Sequence, residues 1–316
     1  MLRSTPAPIA PQLQAASPGL TEPSSVKGAF APYEVKVDLR EFDSVRKFLR
    51  SKGISDESTA DEVLQWVPAA IVVRMWPERV QNGLGMDFEE GYVAFNIMNC
   101  DDGHEFFYAS YLIVMNLRGN VTSVKVIDAS DKDSYGRMHF DALKLKDPKH
   151  FVLGGNTDPY EESGPAYLYN WETQYMLQLA DDKAYENSAH DVQWEPRESP
   201  QRDGVWRTMS TGFYMSDTGT GETVEEYNQP HIWGDVNHVQ ILKDGSSHVI
   251  VNSRKTDSFS KFDMYSNEIL WNVGGEHGTM TLIDLDGNMY SPGENSLHYG
   301  QHNLEYFGNE EFMMFE

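Results

Sequence analysis

A unit of short strands and tight turns recurs along this sequence, and it limits the possible fold more than any other feature. Its clearest copy is His231–Phe262, HIWGDVNHVQILKDGSSHVIVNSRKTDSFSKF. Two alternating segments, HVQIL and HVIVNSR, flank a turn at Asp244-Gly245, and KTDSFSKFD begins a third strand. The segment EILWNVGG follows as a fourth strand. The pattern therefore predicts a small antiparallel sheet.

Comparable units follow one another from about residue 91 onward. Each contains a histidine near the start of its first strand, and these histidines are roughly 50 to 60 residues apart. They are His139, His190, His238 and His302. A repeat of this length with about four strands is typical of a β-propeller blade, whereas a sandwich would scatter the histidines. The sequence thus predicts an all-β fold and a β-propeller, although the context of His139, MHFDA, is least like the others.

The N-terminal part does not follow this pattern. Residues 1–32 are rich in Pro, Ser and Ala without periodicity, which predicts a disordered lead or an organelle presequence. Residues 33–90 contain two helical patterns, REFDSVRKFLRSKG and DESTADEVLQWV, and we expect them to form a small accessory region. Residues 91–316 would form the propeller. No pattern of a secretory signal peptide is visible, so the compartment stays open.

Charge and composition exclude several classes of partner. The chain has 49 acidic and 25 basic residues and a formal net charge of −24, so its field repels nucleic acid and anionic membranes. No apolar run of about 18 residues is present to span a membrane. The single cysteine, Cys100, excludes an intramolecular disulfide, and no Cys/His zinc spacing occurs. An anionic substrate would need a local cationic pocket.

Three histidines and one arginine are the candidate site residues. Equivalent positions of successive blades surround one axis, so His190, His238 and His302 are expected to converge on one pocket. Arg254 follows His238 by one hairpin and is expected at the same end of the sheet. The GDVN segment, residues 234–237, offers hydrogen-bond partners for His238. The plainer interpretation is that single histidines at strand starts are structural and that Arg254 pairs with a carboxylate.

Two chemistries are compatible with a ring of imidazoles and a guanidinium. Neutral imidazoles bind zinc or copper, which would make this a metal site. The permanent positive charge of the guanidinium argues against a second cation, so we expect no metal. The other chemistry is an oxyanion pocket in which one imidazole attacks and the other donors hold negative charge. Such a pocket suits phosphoryl or sulfuryl transfer.

Four motifs resemble the arylsulfotransferase family, whose bacterial members are six-bladed propellers. The motifs are AHDVQWEP, GDVNHVQIL with VNSR after it, EILWNVGG, and GQHNLEYFGNEEFMMFE. Their order and local context agree over roughly residues 91–316. The resemblance implies an enzyme that passes a sulfuryl group from a phenolic sulfate ester to a phenol through a sulfohistidine, without a nucleotide sulfate donor or another cofactor.

The same resemblance assigns roles to the candidate residues. His302, in GQHN, would be the nucleophile that becomes sulfohistidine. His238 in DVNH, Arg254 in NSR and His190 in AHD would bind the sulfuryl oxygens and assist the leaving phenolate. Small-molecule aryl sulfates and phenols are therefore the expected partners. Sulfate or phosphate bound between these side chains would support this function.

Some features depart from the family pattern. From residue 91 there is room for four to five blades of about 50 residues, and an unclosed propeller would expose sheet edges, which proteins avoid. We therefore expect the propeller to be incomplete in this chain, or closed by the N-terminal strands or by a partner chain. Relatives are exported, whereas no export signal is visible. These departures favour the alternative function, a non-catalytic propeller that binds a partner or acts as a scaffold.

Overall fold

A computed structural model describes a set of ranges between residues 33 and 315. These ranges are 33–55, 57–68, 70–75, 91–100, 107–128, 139–156, 163–183, 190–197, 202–293, 297–309 and 311–315. The predicted lead, residues 1–32, and the side chain of Cys100 lie outside them.

Two strands, a 3₁₀ turn at Leu39–Glu41 and two short α-helices come first in the described part of the chain. The strands and α-helices are β1 (Tyr33–Val37), α1 (Asp43–Ser51), α2 (Ala60–Leu64) and β2 (Ile71–Met75), and β1 pairs antiparallel with β2. Helix α2 begins at a capping box in which Thr59 and Glu62 satisfy each other's backbone N–H groups. Neither helix is long and apolar enough to cross a membrane.

Helix α1 packs onto the sheet that follows it in the chain. The first predicted helix is confirmed, and Val45, Phe48 and Leu49 are buried on one side of it. They join Tyr111 and Ile113 in one apolar cluster. The helical region and the first large sheet therefore share a core.

The remaining strands form separate antiparallel sheets in chain order. The first contains β3 (Tyr92–Cys100), β4 (Phe107–Asn116) and β5 (Val121–Asp128). The second contains β6 (His139–Asp147), β7 (His150–Asn156), β8 (Ser163–Asn170) and β9 (Tyr175–Gln178). The third contains β10 (Val192–Glu195), β11 (Gly204–Met209), β12 (Gly212–Asp217) and β13 (Thr223–Asn228).

The fourth sheet is the one that the clearest repeat predicts. It contains β14 (Val236–Ile241), β15 (His248–Ser253), β16 (Ser258–Asp263) and β17 (Glu268–Val273). The predicted turn lies between β14 and β15, where Gly245 has a φ of 84° and Ser246 N donates to Asp244 Oδ1 at 2.9 Å. Two hairpins follow, β18 (Leu282–Ile283) with β19 (Met289–Tyr290) and β20 (His302–Gly308) with β21 (Glu311–Phe315).

The first strands of successive sheets lie side by side. Strand β3 contacts β6, β6 contacts β10, β10 contacts β14, and β14 contacts β20. Glutamine side chains join them: Gln193 Oε1 accepts from Ile241 N at 3.0 Å, and Gln240 both donates to Tyr306 O at 3.1 Å and accepts from Tyr306 N at 2.7 Å. Meanders of four strands arranged around their first strands have the architecture of propeller blades.

The packing between sheets is apolar and aromatic. Phe213 and Phe262, from the third and fourth sheets, lie edge to face with ring centroids 6.1 Å apart, and Trp233 lies 5.3 Å from Phe262. Trp233 is almost fully buried and donates its indole N–H to Ser260 Oγ at 3.0 Å. The all-β prediction is confirmed, and the described sheets form a propeller-like array. A ring of six blades stays a prediction.

Candidate functional site

Three of the four candidate residues meet at one end of the first strands. His190 lies just before β10, Arg254 directly follows β15, and His302 begins β20. Strand β15 is antiparallel to β14, with Ser253 opposite Val236, so Arg254 returns to the start of β14. Of the three histidines that repeat geometry places together, His190 and His302 therefore meet, and Arg254 lies beside them at the end where its hairpin predicts it.

Asp235, one residue before β14, connects two of these side chains. Its Oδ1 lies 3.4 Å from His190 Nε2, and its Oδ2 accepts from Arg254 NH1 at 3.1 Å. The hydrogen bond with His190 and the bond with Arg254 outweigh partial burial and lower the pKa of Asp235 to about 2. The group is therefore an ionised carboxylate at neutral pH and orients both side chains.

The backbone explains why Asp235 occupies this position. Its φ is 53°, a left-handed conformation that Asp tolerates better than most residues. Its carbonyl accepts from Arg254 N at 3.1 Å. Beside it, Ser253 Oγ donates to Gly234 O at 2.9 Å and accepts from Gly234 N at 2.8 Å. The turn before β14 is thus tied to the end of β15.

His302 is the exposed imidazole of the cluster. Partial burial lowers its pKa, and the positive charges of Arg254 and His190 lower it further. A hydrogen bond with the Gly300 backbone and the charge of Asp235 act in the opposite direction but do not reverse the shift. His302 is therefore mainly neutral at neutral pH.

Buried amides hold the chain next to His302. Gln301 is fully buried, and its Nε2 donates to the carbonyls of Ser253 and Ser258 at 3.1 and 3.0 Å. The Gln301 carbonyl accepts from Asn237 Nδ2 at 2.8 Å and from Asn252 Nδ2 at 3.0 Å. These bonds connect β20 to the fourth sheet. Sequence reasoning missed Gln301, although a glutamine directly before the candidate nucleophile was visible in GQHN.

His238 lies in a separate, buried layer. Only 1% of the residue is exposed, and its Nδ1 lies 2.8 Å from Asp191 Oδ2. The same oxygen accepts from Val239 N at 3.2 Å, while Lys144 Nζ lies 3.8 Å from Asp191 Oδ1. Burial raises the pKa of Asp191, but His238 and Lys144 outweigh that effect and hold it below its usual value. The layer therefore contains an ionised Asp191 carboxylate between the His238 imidazole and the Lys144 amino group.

The partner of His238 differs from the one that the sequence indicated. The GDVN segment places Asp235 near His190 and Arg254, and Asn237 near Gln301, whereas the carboxylate on His238 comes from the neighbouring sheet. Within the described part of the chain, His238 Nε2 is buried without a hydrogen-bond partner. The side chain of His139 lies outside the described residues.

A cavity of about 530 Å³ lies between the first strands of four sheets. His238, Lys144 and Glu305 border it together with Trp194 and Phe307. The first strands place the cluster around Asp235 at their beginnings and this cavity further along them. The site thus has two levels, the cluster around Asp235 at one end and a mixed polar and apolar cavity beyond the His238 layer.

Comparison with family models gives no match, and comparison with curated proteins gives none. Among solved structures, a protein of unknown function from Bacteroides caccae has 8% identity and a TM-score of 0.40, covering 67% of this chain and 72% of that one. The AfRom2 CNH domain has 7% identity and a TM-score of 0.40, covering 76% and 70%. Dihydro-heme d1 dehydrogenase NirN, in complex with DHE, has 12% identity and a TM-score of 0.31, covering 55% and 36%. Likenesses at this level indicate neither a family nor an activity.

Proposed function

We propose that this protein is an arylsulfotransferase-like enzyme that moves a sulfuryl group from a phenolic sulfate ester to a phenol through His302. The observation that carries the proposal is an exposed imidazole whose pKa is lowered by partial burial and by its cationic neighbours Arg254 and His190. A neutral imidazole has the free lone pair that a nucleophile needs. The resemblance of the four motifs to arylsulfotransferases supports the choice of sulfuryl transfer over other anion chemistry.

The reaction has two steps. A nitrogen of His302 forms a bond to sulfur while the bond between sulfur and the aryl oxygen breaks, and the phenolate leaves with the electron pair. The acceptor oxygen then forms a bond to sulfur, the nitrogen–sulfur bond breaks, and the phenolic proton passes to solvent. Arg254 and His190 offset the negative charge on the sulfuryl oxygens, and Asp235 keeps both in position.

The proposed role of His238 needs a local rearrangement. Its Nε2 has no hydrogen-bond partner among the described residues, so it can still bind a substrate oxygen. The atom is buried, however, and the surrounding side chains would have to move before a substrate could reach it. His238 therefore belongs to the proposed site as a group that acts after substrate entry.

The test is release of 4-nitrophenol from 4-nitrophenyl sulfate in the presence of phenol. We expect His302→Ala to abolish release, because the nucleophile is removed. Arg254→Ala should lower kcat roughly a hundredfold, the usual effect of losing one donor to a developing charge. His277→Ala is the matched control, since it also removes an exposed imidazole but lies outside the cluster.

Mass spectrometry of the intact protein gives a second measurement. Incubation with 4-nitrophenyl sulfate, without acceptor, should add one sulfuryl group to the protein and to His277→Ala but none to His302→Ala. Acceptor-dependent release that persists in His302→Ala would contradict a covalent role for this residue. If folded wild-type protein releases no 4-nitrophenol, sulfuryl transfer is refuted and a binding function is favoured.

An exposed apolar hairpin favours that second candidate function, binding of a partner protein. Ile283, Leu285 and Met289 are 61%, 107% and 71% exposed on β18, its turn and β19. The turn is held by Asp284, which accepts from Asn288 N at 2.8 Å, so these apolar side chains are presented by an ordered loop. Leu285→Asp should leave sulfuryl transfer unchanged, and it should weaken association with a partner if binding is the function.

A further inference from the structure

The cavity beyond the His238 layer has a polar end made by an ion pair. Lys144 Nζ donates to Glu305 Oε1 at 3.0 Å, and both side chains are partly exposed. Burial lowers the pKa of Lys144, but the charges of Asp191 and Glu305 raise it above its usual value, so the group is an ammonium. An ammonium has three N–H donors and a carboxylate accepts several hydrogen bonds, so the pair retains capacity for a ligand.

One part of the cavity wall is apolar. Trp194, Leu145 and Phe307 line it, and Leu145 and Phe307 are exposed although both are large apolar residues. Lys146 Nζ lies 4.8 Å from the ring centroid of Trp194, which fixes the indole in place. An aromatic ring in the cavity would cover this apolar surface.

Charge decides which aromatic compounds fit. Two lysines on the lining, Lys144 and Lys243, are balanced by Glu305 and Asp244. Neither an anionic nor a cationic ligand gains a net attraction from such a lining. A neutral hydroxyl group uses both members of the ion pair, because it donates its hydrogen to a carboxylate and accepts from an ammonium.

We propose that this cavity binds a neutral phenol, with its hydroxyl group between Glu305 and Lys144 and its ring against Trp194 and Phe307. Glu305 lies three residues after His302 on β20, and a bulge between them reduces their separation to about two strand residues, or about 7 Å. The bound phenol would therefore lie further along β20 than the reacting imidazole. Its identification as the acceptor of sulfuryl transfer depends on the proposed function, whereas the binding site itself does not.

The experiment is equilibrium binding by titration calorimetry, with phenol, anisole, benzoate and benzylamine as probes of the wild-type protein. We expect saturable binding of phenol. Anisole lacks the hydroxyl hydrogen and should bind roughly tenfold or more weakly, because a hydrogen bond to a charged acceptor is lost. Equal affinity for phenol and anisole, tighter binding of either charged probe, or no saturable binding to folded protein would overturn the proposal.

Variants locate the site. Glu305→Gln should weaken phenol binding roughly tenfold, and Leu145→Trp should abolish it by filling the cavity from an exposed position. Glu268→Gln, an exposed carboxylate on β17, is the matched control and should bind phenol like the wild type. Unchanged binding in Leu145→Trp would place the phenol elsewhere and refute the assignment.

His302→Ala separates this proposal from the proposed function. Phenol binding with wild-type affinity in His302→Ala, together with transfer that only the wild type performs, supports both. If phenol binds but neither the wild type nor any variant transfers a sulfuryl group, the phenol-binding site stands and the proposed enzymatic function is refuted.

Discussion

Replacing Asp191 by alanine should lower the free energy of unfolding by about 2–6 kcal/mol, because two donors lose a buried acceptor. The carboxylate is buried and lies 2.8 Å from His238 Nδ1 and 3.2 Å from Val239 N. Alanine would leave both donors without an acceptor, at about 1–3 kcal/mol each. The sum over the two donors gives the expected loss of about 2–6 kcal/mol.

The measurement is urea unfolding followed by circular dichroism at neutral pH. Asp191→Asn keeps an oxygen acceptor in place and should lose only about 1–2 kcal/mol. Asp286→Ala removes an exposed carboxylate in the turn between β18 and β19, and it should stay within about 0.5 kcal/mol of the wild type. A loss below about 1 kcal/mol in Asp191→Ala would refute the reasoning.

The pH dependence gives an independent check on the same group. Burial raises the pKa of Asp191, but His238 and Lys144 outweigh it and keep the pKa below the ordinary value of 3.8. A carboxyl group with a depressed folded pKa contributes its full stability above the unfolded pKa and loses it as the pH falls through the folded pKa. The difference between wild type and Asp191→Ala should therefore shrink below about pH 4. A difference that stays constant in acid would contradict an ionised Asp191.

Two further predictions concern the cluster around Asp235. Arg254→Ala should raise the pKa of His302 because it removes a neighbouring positive charge, and Asp235→Asn should lower this pKa because it removes a negative charge. NMR titration of the His302 ring protons measures both shifts. A shift in the same direction for both variants would contradict the arrangement. Gln301→Ala removes two hydrogen bonds inside the protein and should lower the free energy of unfolding by about 2–3 kcal/mol, measured by urea unfolding. Asn288→Ala, at an exposed position, is the control. An unchanged unfolding midpoint in Gln301→Ala would contradict the prediction.

Local patterns predicted the strands well. The fourth sheet has strands at the positions that alternation and the Asp244-Gly245 turn indicate, and α1 lies within the segment predicted to be helical. These signals work because a hairpin turn and an amphipathic face are determined by residues close together in the chain. The number of blades is not such a property, since it depends on how whole sheets assemble.

Repeat geometry predicted only the part of the site that lies at the starts of the first strands. His190 and His302 converge because successive first strands start at the same end of the array, and Arg254 joins them because β15 returns to the start of β14. The partner of His238 could not be predicted in this way, because Asp191 comes from the preceding sheet and its register against β14 is set by tertiary packing. The Lys144–Glu305 pair joins strands that are still further apart in sequence.

The arrangement also explains how a chain of net charge −24 can offer a site for an anion. The long-range field of the protein repels sulfate esters, but salt screens it over about 8–10 Å, so only neighbouring groups act on a bound ligand. At His302 the charged groups that act on its pKa include Arg254 and Asp235. Arg254 carries a permanent positive charge, and Asp235 holds its guanidinium at the start of β14. Nearby guanidinium and imidazole N–H donors can therefore bind an anion that the whole molecule repels.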